Sequence, residues 1–215
     1  MSNDTFPRMY GLNPIPIYVN RVEFPNQEHA LEKLRSEEYF RYASGSGFGT
    51  KDNFLLNKDK FSDLRHLLET ELEKYVYDII CVDKSLKVQI ENSWGVRNDV
   101  GDYAKDHWHM NSLISCVFYV AVDDKSGDLE FSYGVKDSNL FPGLFGYPYS
   151  QHNMFNSRHL TIKPQVGMVV IFPSHVYHKV MVNESNITRF SIAFNASLRG
   201  QLGSPNSYDY SVYNL

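Results

Sequence analysis

Residues 106–122 read "DHWHMNSLISCVFYVAV": two histidines, His107 and His109, lie two positions apart and lead into the most apolar run of the chain. Side chains on a β-strand alternate between faces, so an extended segment would place both imidazoles on the same side. The run behind them falls short of the roughly 18 residues of a membrane span. Its β-branched and aromatic content suits a buried strand. Two imidazoles on one face beside such a strand make half of a metal site or a chance pair, and the rest of the chain must decide which.

Working outward, short strand-like runs occupy 86–96, 103–109, 113–122, 128–133, 159–163, 167–172, 177–183 and 188–197, separated by turns such as "DDKSGD" and "PQVG". Upstream the pattern differs. Residues 12–24, "LNPIPIYVNRVEF", suit an edge strand. Asn26 is placed to cap a helix through "QEHALEKLRSEEYF". "ASGSGFGTKDN" reads as a loop. "FSDLRHLLETELEKYVYDIICV" keeps Leu64, Leu67, Leu68, Leu72, Tyr75, Val76 and Ile79 at helical spacing. The expected fold is therefore mainly β with N-terminal helices, a barrel or sandwich buttressed by two helices rather than a doubly wound sheet. One domain over 1–215 is expected, with helical support at 26–83 and a β core at about 86–197. Residues 134–158, rich in Gly, Pro, Asn and aromatics, are too long for a turn and read as a lid-like insertion. The final "GSPNSYDYSVYNL" reads as a weakly ordered tail.

Composition narrows the classes. The 15 Tyr and 14 Phe favour β-structure with large cross-strand pairs. A formal charge of −4 argues against a nucleic-acid binder, which needs a basic surface. The N-terminal "MSNDTFPRMYG" lacks a basic region followed by an apolar core, and no apolar run is long enough to span a bilayer, so an intracellular, non-membrane protein is expected. Cys81 in "YDIICV" and Cys116 in "LISCVF" read as buried thiols rather than a disulfide framework.

A second cluster lies far downstream. In "IFPSHVYHKVMV", His175 and His178 follow a turn at Pro173–Ser174. In "TRFSIAFN", alternation sorts Arg189, Ser191, Ala193 and Asn195 onto one face and Phe190, Ile192 and Phe194 onto the other. The bulky set would pack against a second layer, leaving a cation, a hydroxyl and an amide around a small residue. A buried arginine needs an anion, and no carboxylate on a neighbouring strand offers itself, whereas a ligand carboxylate would serve. An isolated His-x-His, or His178 alone, is as readily an ordinary surface or core feature. It is their conjunction, with Arg189 eleven positions beyond His178, that points to a site.

Those segments, "SWGVRNDVGDYAKDHWHMNSLISCVFYV", "GDLEF", "GMVVIFPSHVYHKV" and "RFSIAFN", resemble the 2-oxoglutarate- and iron(II)-dependent oxygenases. More narrowly they resemble a branch related to prolyl 4-hydroxylases and recurrent in bacteria and phages. The resemblance implies a double-stranded β-helix, a jelly-roll or cupin-like barrel. It implies His107 and His178 as iron ligands, Arg189 as the clamp on the far carboxylate of 2-oxoglutarate and Ser191 as its neighbouring hydroxyl. Tyr119 and Tyr103 are candidate donors to the co-substrate, and Trp94 and Trp108 are read as packing residues or, at the mouth, as a substrate platform. Where the superfamily carries a carboxylate ligand, this chain has His109. Three arrangements follow: His109 as third ligand, which same-face geometry favours; water in that place; or a carboxylate from Asp128 or Glu130, Asp106 being turned away by strand alternation. The implied activity is hydroxylation of a peptide or small molecule, a prolyl residue or free proline foremost. Fe(II), 2-oxoglutarate and O2 would be consumed or bound, and succinate and CO2 released. Two readings compete: a cupin-like three-histidine metal protein that does not use 2-oxoglutarate, and a non-catalytic barrel.

Overall fold

Arg189–Leu202 forms the longest strand, and the other elements are arranged around it. The computed structural model describes residues 14–43, 47–132, 148, 150–151, 153, 156–157, 159–206 and 208–213. In chain order its elements are β1 (Tyr18–Arg21), α1 (Gln27–Arg35), β2 (Tyr39–Arg41), β3 (Phe48–Thr50) and α2 (Ser62–Glu73). There follow β4 (Lys87–Asn98), β5 (Ala104–His107), β6 (Ile114–Ala121), β7 (Leu129–Ser132), β8 (His159–Ile162), β9 (Met168–Pro173), β10 (Tyr177–Val180), β11 (Arg189–Leu202) and β12 (Ser211–Tyr213).

Two antiparallel sheets result. The larger runs β1-β9-β6-β11-β4-β3-β2 with β12 beside β11, and the smaller runs β5-β10-β7-β8. From β4 onward the chain passes between them in a jelly-roll winding, with β4, β6, β9 and β11 in the larger and β5, β7, β8 and β10 in the smaller. A closed barrel, expected from the sequence, would need hydrogen bonding around its whole circumference. Here the ladders stop at β5 and β8 in one sheet and at β1 and β2 in the other, so among the described residues the two sheets stay open.

Alternation along β11 divides the core in two. Phe190, Ile192, Phe194 and Ala196 join Ala30 and Leu34 of α1 and Leu64, Leu68 and Leu72 of α2 in one apolar cluster. Between the sheets a second cluster gathers Tyr119, Leu129, Phe131, Val170, Phe172 and Val176. Each fully buried large apolar side chain contributes about 1.5–3 kcal/mol.

Several elements depart from expectation. Asn26 stands at the N-cap of α1 but makes no side-chain cap hydrogen bond. That helix stops at Arg35, because Tyr39–Arg41 instead extends the sheet edge as β2. The segment read as a loop at 43–53 contains β3, whose Phe48 and Gly49 pair with Arg97 and Val96 of β4. Part of the expected tail pairs as β12 with Gly200–Leu202. The second helix is α-helical to Glu73 and then widens into a π-helical turn, Lys74–Ile79. Cys81 follows with φ of 60° and is exposed, so only Cys116 is the buried thiol expected. The expected lid at 134–158 lies almost wholly outside the described residues. Among the described residues no helix is long and apolar enough to cross a membrane.

One polar clasp fixes the edge of the larger sheet to α2. The Glu71 carboxylate, 2% exposed, accepts hydrogen bonds from Tyr18 Oη (2.7 Å), Asn20 Nδ2 (2.7 Å) and Lys74 Nζ (2.6 Å). Burial raises its pKa, but these donors outweigh burial and hold it below the usual carboxylate range. Burial and the same pairing push Tyr18 up to about 12. A carboxyl whose folded pKa is depressed adds stability above its unfolded pKa, near 4.3, and loses it as pH falls through the folded value. Glu71→Gln is therefore expected to cost about 1–3 kcal/mol at pH 7, a deficit that narrows toward pH 3 in thermal denaturation. Phe194→Ala, which empties a fully buried site, is expected to cost about 3–5 kcal/mol at either pH.

Candidate functional site

His178 on β10 lies directly across the ladder from His107 on β5. His109 sits two residues beyond the end of β5, where its backbone N–H donates to the Ser174 carbonyl (3.0 Å) in the turn before β10. The three imidazoles converge, with ligand atoms all within 4.8 Å of one another. Ring centroids are 4.2 Å apart for His107 and His178, 5.1 Å for His109 and His178, and 5.4 Å for His107 and His109. Among the described residues no carboxylate or thiol joins the group.

Hydrogen bonds set the tautomers. His107 Nδ1 lies 2.7 Å from the Lys105 carbonyl and His178 Nδ1 3.0 Å from the Val176 carbonyl. A carbonyl oxygen only accepts, so each Nδ1 carries the proton and each Nε2 keeps a lone pair for a ligand. His109 Nδ1 lies 2.6 Å from Asn195 Oδ1, to the same effect. Burial lowers the pKa of His178 to about 3, and the neighbouring His107 and His109 push the same way. Burial also lowers His109, with Asn195 opposing part of the shift. Both shifts favour the neutral form of His109 and His178, which is the state a metal ligand needs.

The same cavity, about 810 Å³ between the sheets, is lined by Arg189, Ser191 and Tyr119. Arg189 is 2% exposed. Its Nη1 donates to the carbonyls of Ser126 (3.4 Å) and Gly127 (3.2 Å), and its guanidinium carbon lies 5.6 Å from the Tyr119 ring centroid. Gly127 has φ of 86°, and a Cβ there would stand 2.2 Å from the Met181 carbonyl oxygen, so the turn carrying these acceptors requires glycine. Arg189 Nε and the Tyr119 hydroxyl, both buried, have no hydrogen-bond partner among the described residues. No charged partner offsets the guanidinium among the described residues; Tyr119 is its one electrostatic neighbour. Burial raises the Tyr119 pKa, keeping its hydroxyl a donor.

Other expected residues fall elsewhere. Glu130 is opposite Lys179 across the ladder and pairs with Lys179 Nζ (2.7 Å) and His159 Nδ1 (3.2 Å), because alternation gives the inner position to Phe131, opposite His178. Asp128 is not part of the histidine group. Asp106 is exposed, as strand alternation requires, and so is His175. Tyr103, 37% exposed, does not line the cavity. Both tryptophans line the cavity: Trp94 lies 5.7 Å from His109, and Trp108, half-exposed, packs on Tyr177 (4.7 Å). Sequence reasoning missed Asn92, Ser115 and Ser174 around His109. Counting by twos from Tyr119 to Ser115, and from Asn195 to its cross-strand partners, would have found two of them.

Residues 92–195 match the family described as "Putative 2OG-Fe(II) oxygenase". No curated protein matches the chain by sequence. Among solved structures, the non-heme alpha ketoglutarate dependent epimerase SnoN from nogalamycin biosynthesis superposes with a TM-score of 0.62 at 13% identity, covering 91% of this chain and 84% of that one. HygX from Streptomyces hygroscopicus, solved with nickel and 2-oxoglutarate bound, gives 0.59 at 12% identity, covering 94% and 92%. A prolyl-4-hydroxylase from Pseudomonas putida gives 0.56 at 13% identity, covering 85% and 93%. Identities this low make the likeness one of fold. The match over 92–195 spans every residue of the histidine and arginine cluster, so this part of the chain, just under half of it, is similar to the 2OG-Fe(II) oxygenases.

Proposed function

We propose that the protein is an Fe(II)- and 2-oxoglutarate-dependent dioxygenase that hydroxylates an organic substrate and releases succinate and CO2. The observation that carries this reading is a buried guanidinium with no carboxylate partner among the described residues, opening onto the same cavity as three converging imidazoles. The residues fit both groups. Three Nε2 lone pairs from His107, His109 and His178 suit a divalent transition metal, and Arg189 Nε with the Tyr119 hydroxyl are donors awaiting an acceptor. When bound, iron, 2-oxoglutarate and O2 supply the oxidising chemistry, which belongs to the cofactor and co-substrate.

The chain's own groups bind and orient. His107 and His178, held by main-chain carbonyls, present their free nitrogens from adjacent strands. Arg189 grips the far carboxylate of the dicarboxylic acid, with Ser191 beside it on β11 and Tyr119 opposite Ser191 on β6. Phe172 and Val117, which also line the cavity, exclude water from it. In this reading the eight strands β4–β11 form a double-stranded β-helix, with α1 and α2 bracing its larger sheet in a single domain. The substrate is a peptide or small molecule, with a prolyl residue or free proline the leading candidate. The likeness in fold to the Pseudomonas putida enzyme and the Trp94 ring on the cavity wall support that choice. Two free cysteines support an intracellular setting.

Mn(II) or Co(II) is expected to raise the melting temperature, EDTA to reverse the rise, and His178→Ala to remove it; a wild-type protein indifferent to metal would overturn the reading. Arg189→Ala is expected to leave metal affinity nearly unchanged while weakening 2-oxoglutarate binding to the Mn(II)-loaded protein roughly 10–100-fold, from the loss of a charge-assisted pair. Succinate formation from Fe(II) and 2-oxoglutarate should fall with it. Retained succinate formation would instead favour a three-histidine metal protein of another kind.

A further inference from the structure

Beneath His109 lies a polar row that metal and co-substrate binding alone do not explain. Asn92 on β4, Asn195 on β11 and Ser115 on β6 are directly opposed across three adjacent strands. Asn195 is 6% exposed, Ser115 0% and Ser174 1%, in a core where polar atoms are costly unless paired. Here they are paired in one direction. Asn195 Nδ2 donates to Asn92 Oδ1 (2.9 Å), which turns Asn195 Oδ1 toward His109. That oxygen receives the Ser115 hydroxyl (2.9 Å) and lies 2.6 Å from His109 Nδ1. Ser174 then donates to Ser115 (2.8 Å) and Ser112 to Ser174 (2.5 Å), so the hydroxyl protons run toward Asn195. Register reinforces the arrangement: Asn195 pairs with Asn92 but Ala196 with Ile90, a bulge of the kind that re-aims side chains at functional sites.

The geometry points to Asn195 as the positioning residue that makes His109 a metal ligand, fixing its ring with the proton on Nδ1 and the lone pair of Nε2 directed at the other two histidines. This inference rests on the functional reading above. His107 and His178 are set by main-chain carbonyls two residues away, which the fold of their own strands supplies. His109 has no such carbonyl, and a side-chain amide from a distant strand takes its place. An amide oxygen accepts only, so it selects the tautomer as strictly as a carbonyl does, and it does so without adding a negative charge behind the ligand.

The test uses Asn195→Leu, close in size to the native side chain, with Ser115→Ala as the milder companion. In the metal-free protein, long-range ¹H–¹⁵N NMR of the imidazoles should show His109 as the Nδ1–H tautomer and should show that preference lost in Asn195→Leu. Co(II) affinity should fall roughly 10–100-fold in Asn195→Leu and less in Ser115→Ala, with a changed Co(II) d–d spectrum. In a His109→Ala background, Asn195→Leu should cause no further loss. A wild-type His109 protonated on Nε2 would overturn the inference, and so would equal losses with and without His109. Should Asn195→Leu not fold, the same readings on Ser115→Ala decide. If the tautomer result holds while wild type fails to bind Co(II), the functional reading fails and the positioning role of Asn195 toward the ring stands.

Discussion

Strict two-residue alternation along β11 is the constraint on which the rest depends. The strand lies between β4 and β6, with the helices over one face and the smaller sheet over the other, so Arg189–Ala196 is buried on both faces and each must be satisfied within the protein. One face is filled by Phe190, Ile192 and Phe194 against the helices. The other presents Arg189, Ser191, Ala193 and Asn195 to the cavity, each level with a residue of β4 and of β6 or, for Arg189, of β4 alone. A shift of one residue would exchange the two sets, burying a guanidinium among the leucines of α2 and exposing three large apolar groups to the cavity. Stability and site assembly are therefore specified by the same register.

Charge is distributed unusually within this frame. The converging donors are three imidazoles, and the buried ion that shares their cavity is a guanidinium rather than a carboxylate. A divalent cation held there would keep its full double charge, where one carboxylate ligand would remove a unit of it. With the buried guanidinium lining the same cavity, an anionic guest would be favoured, and the low dielectric of the interior strengthens that preference. The arrangement also explains why His109 and His178 hold so weakly to protons: a cation delivered as a proton would face burial and neighbouring rings without the compensation that coordination brings.

Much of this was legible in the sequence, and the limits have physical causes. The eight strands from 86 to 197 announced themselves through period-two patterning and turns, and the face of "TRFSIAFN" that lines the cavity followed from alternation alone. The convergence of His107, His109 and His178 was legible as spacing and likeness, not as distance. The three-residue strands β2, β3 and β12 were not legible, because so short a run has no period; β3 and β12 gain their pairing from the longer β4 and β11, and β2 from β3. Cys81 misled because apolar neighbours in sequence do not bury a residue that lies past the end of a helix in a left-handed conformation. Glu130 was undecidable until the partner across the ladder was known, and Lys179 decided it. Ser174 belongs to the network around His109 only through the turn before β10, which no local pattern encodes.

The turn at Ser126–Gly127 has a consequence of its own. Its two carbonyls tether Nη1 of Arg189 from behind, and the glycine they depend on admits no side chain, so the guanidinium is held at a set remove from the histidines before anything enters. An arginine tethered in this way has fewer rotamers left to lose on meeting an anion than a free one has.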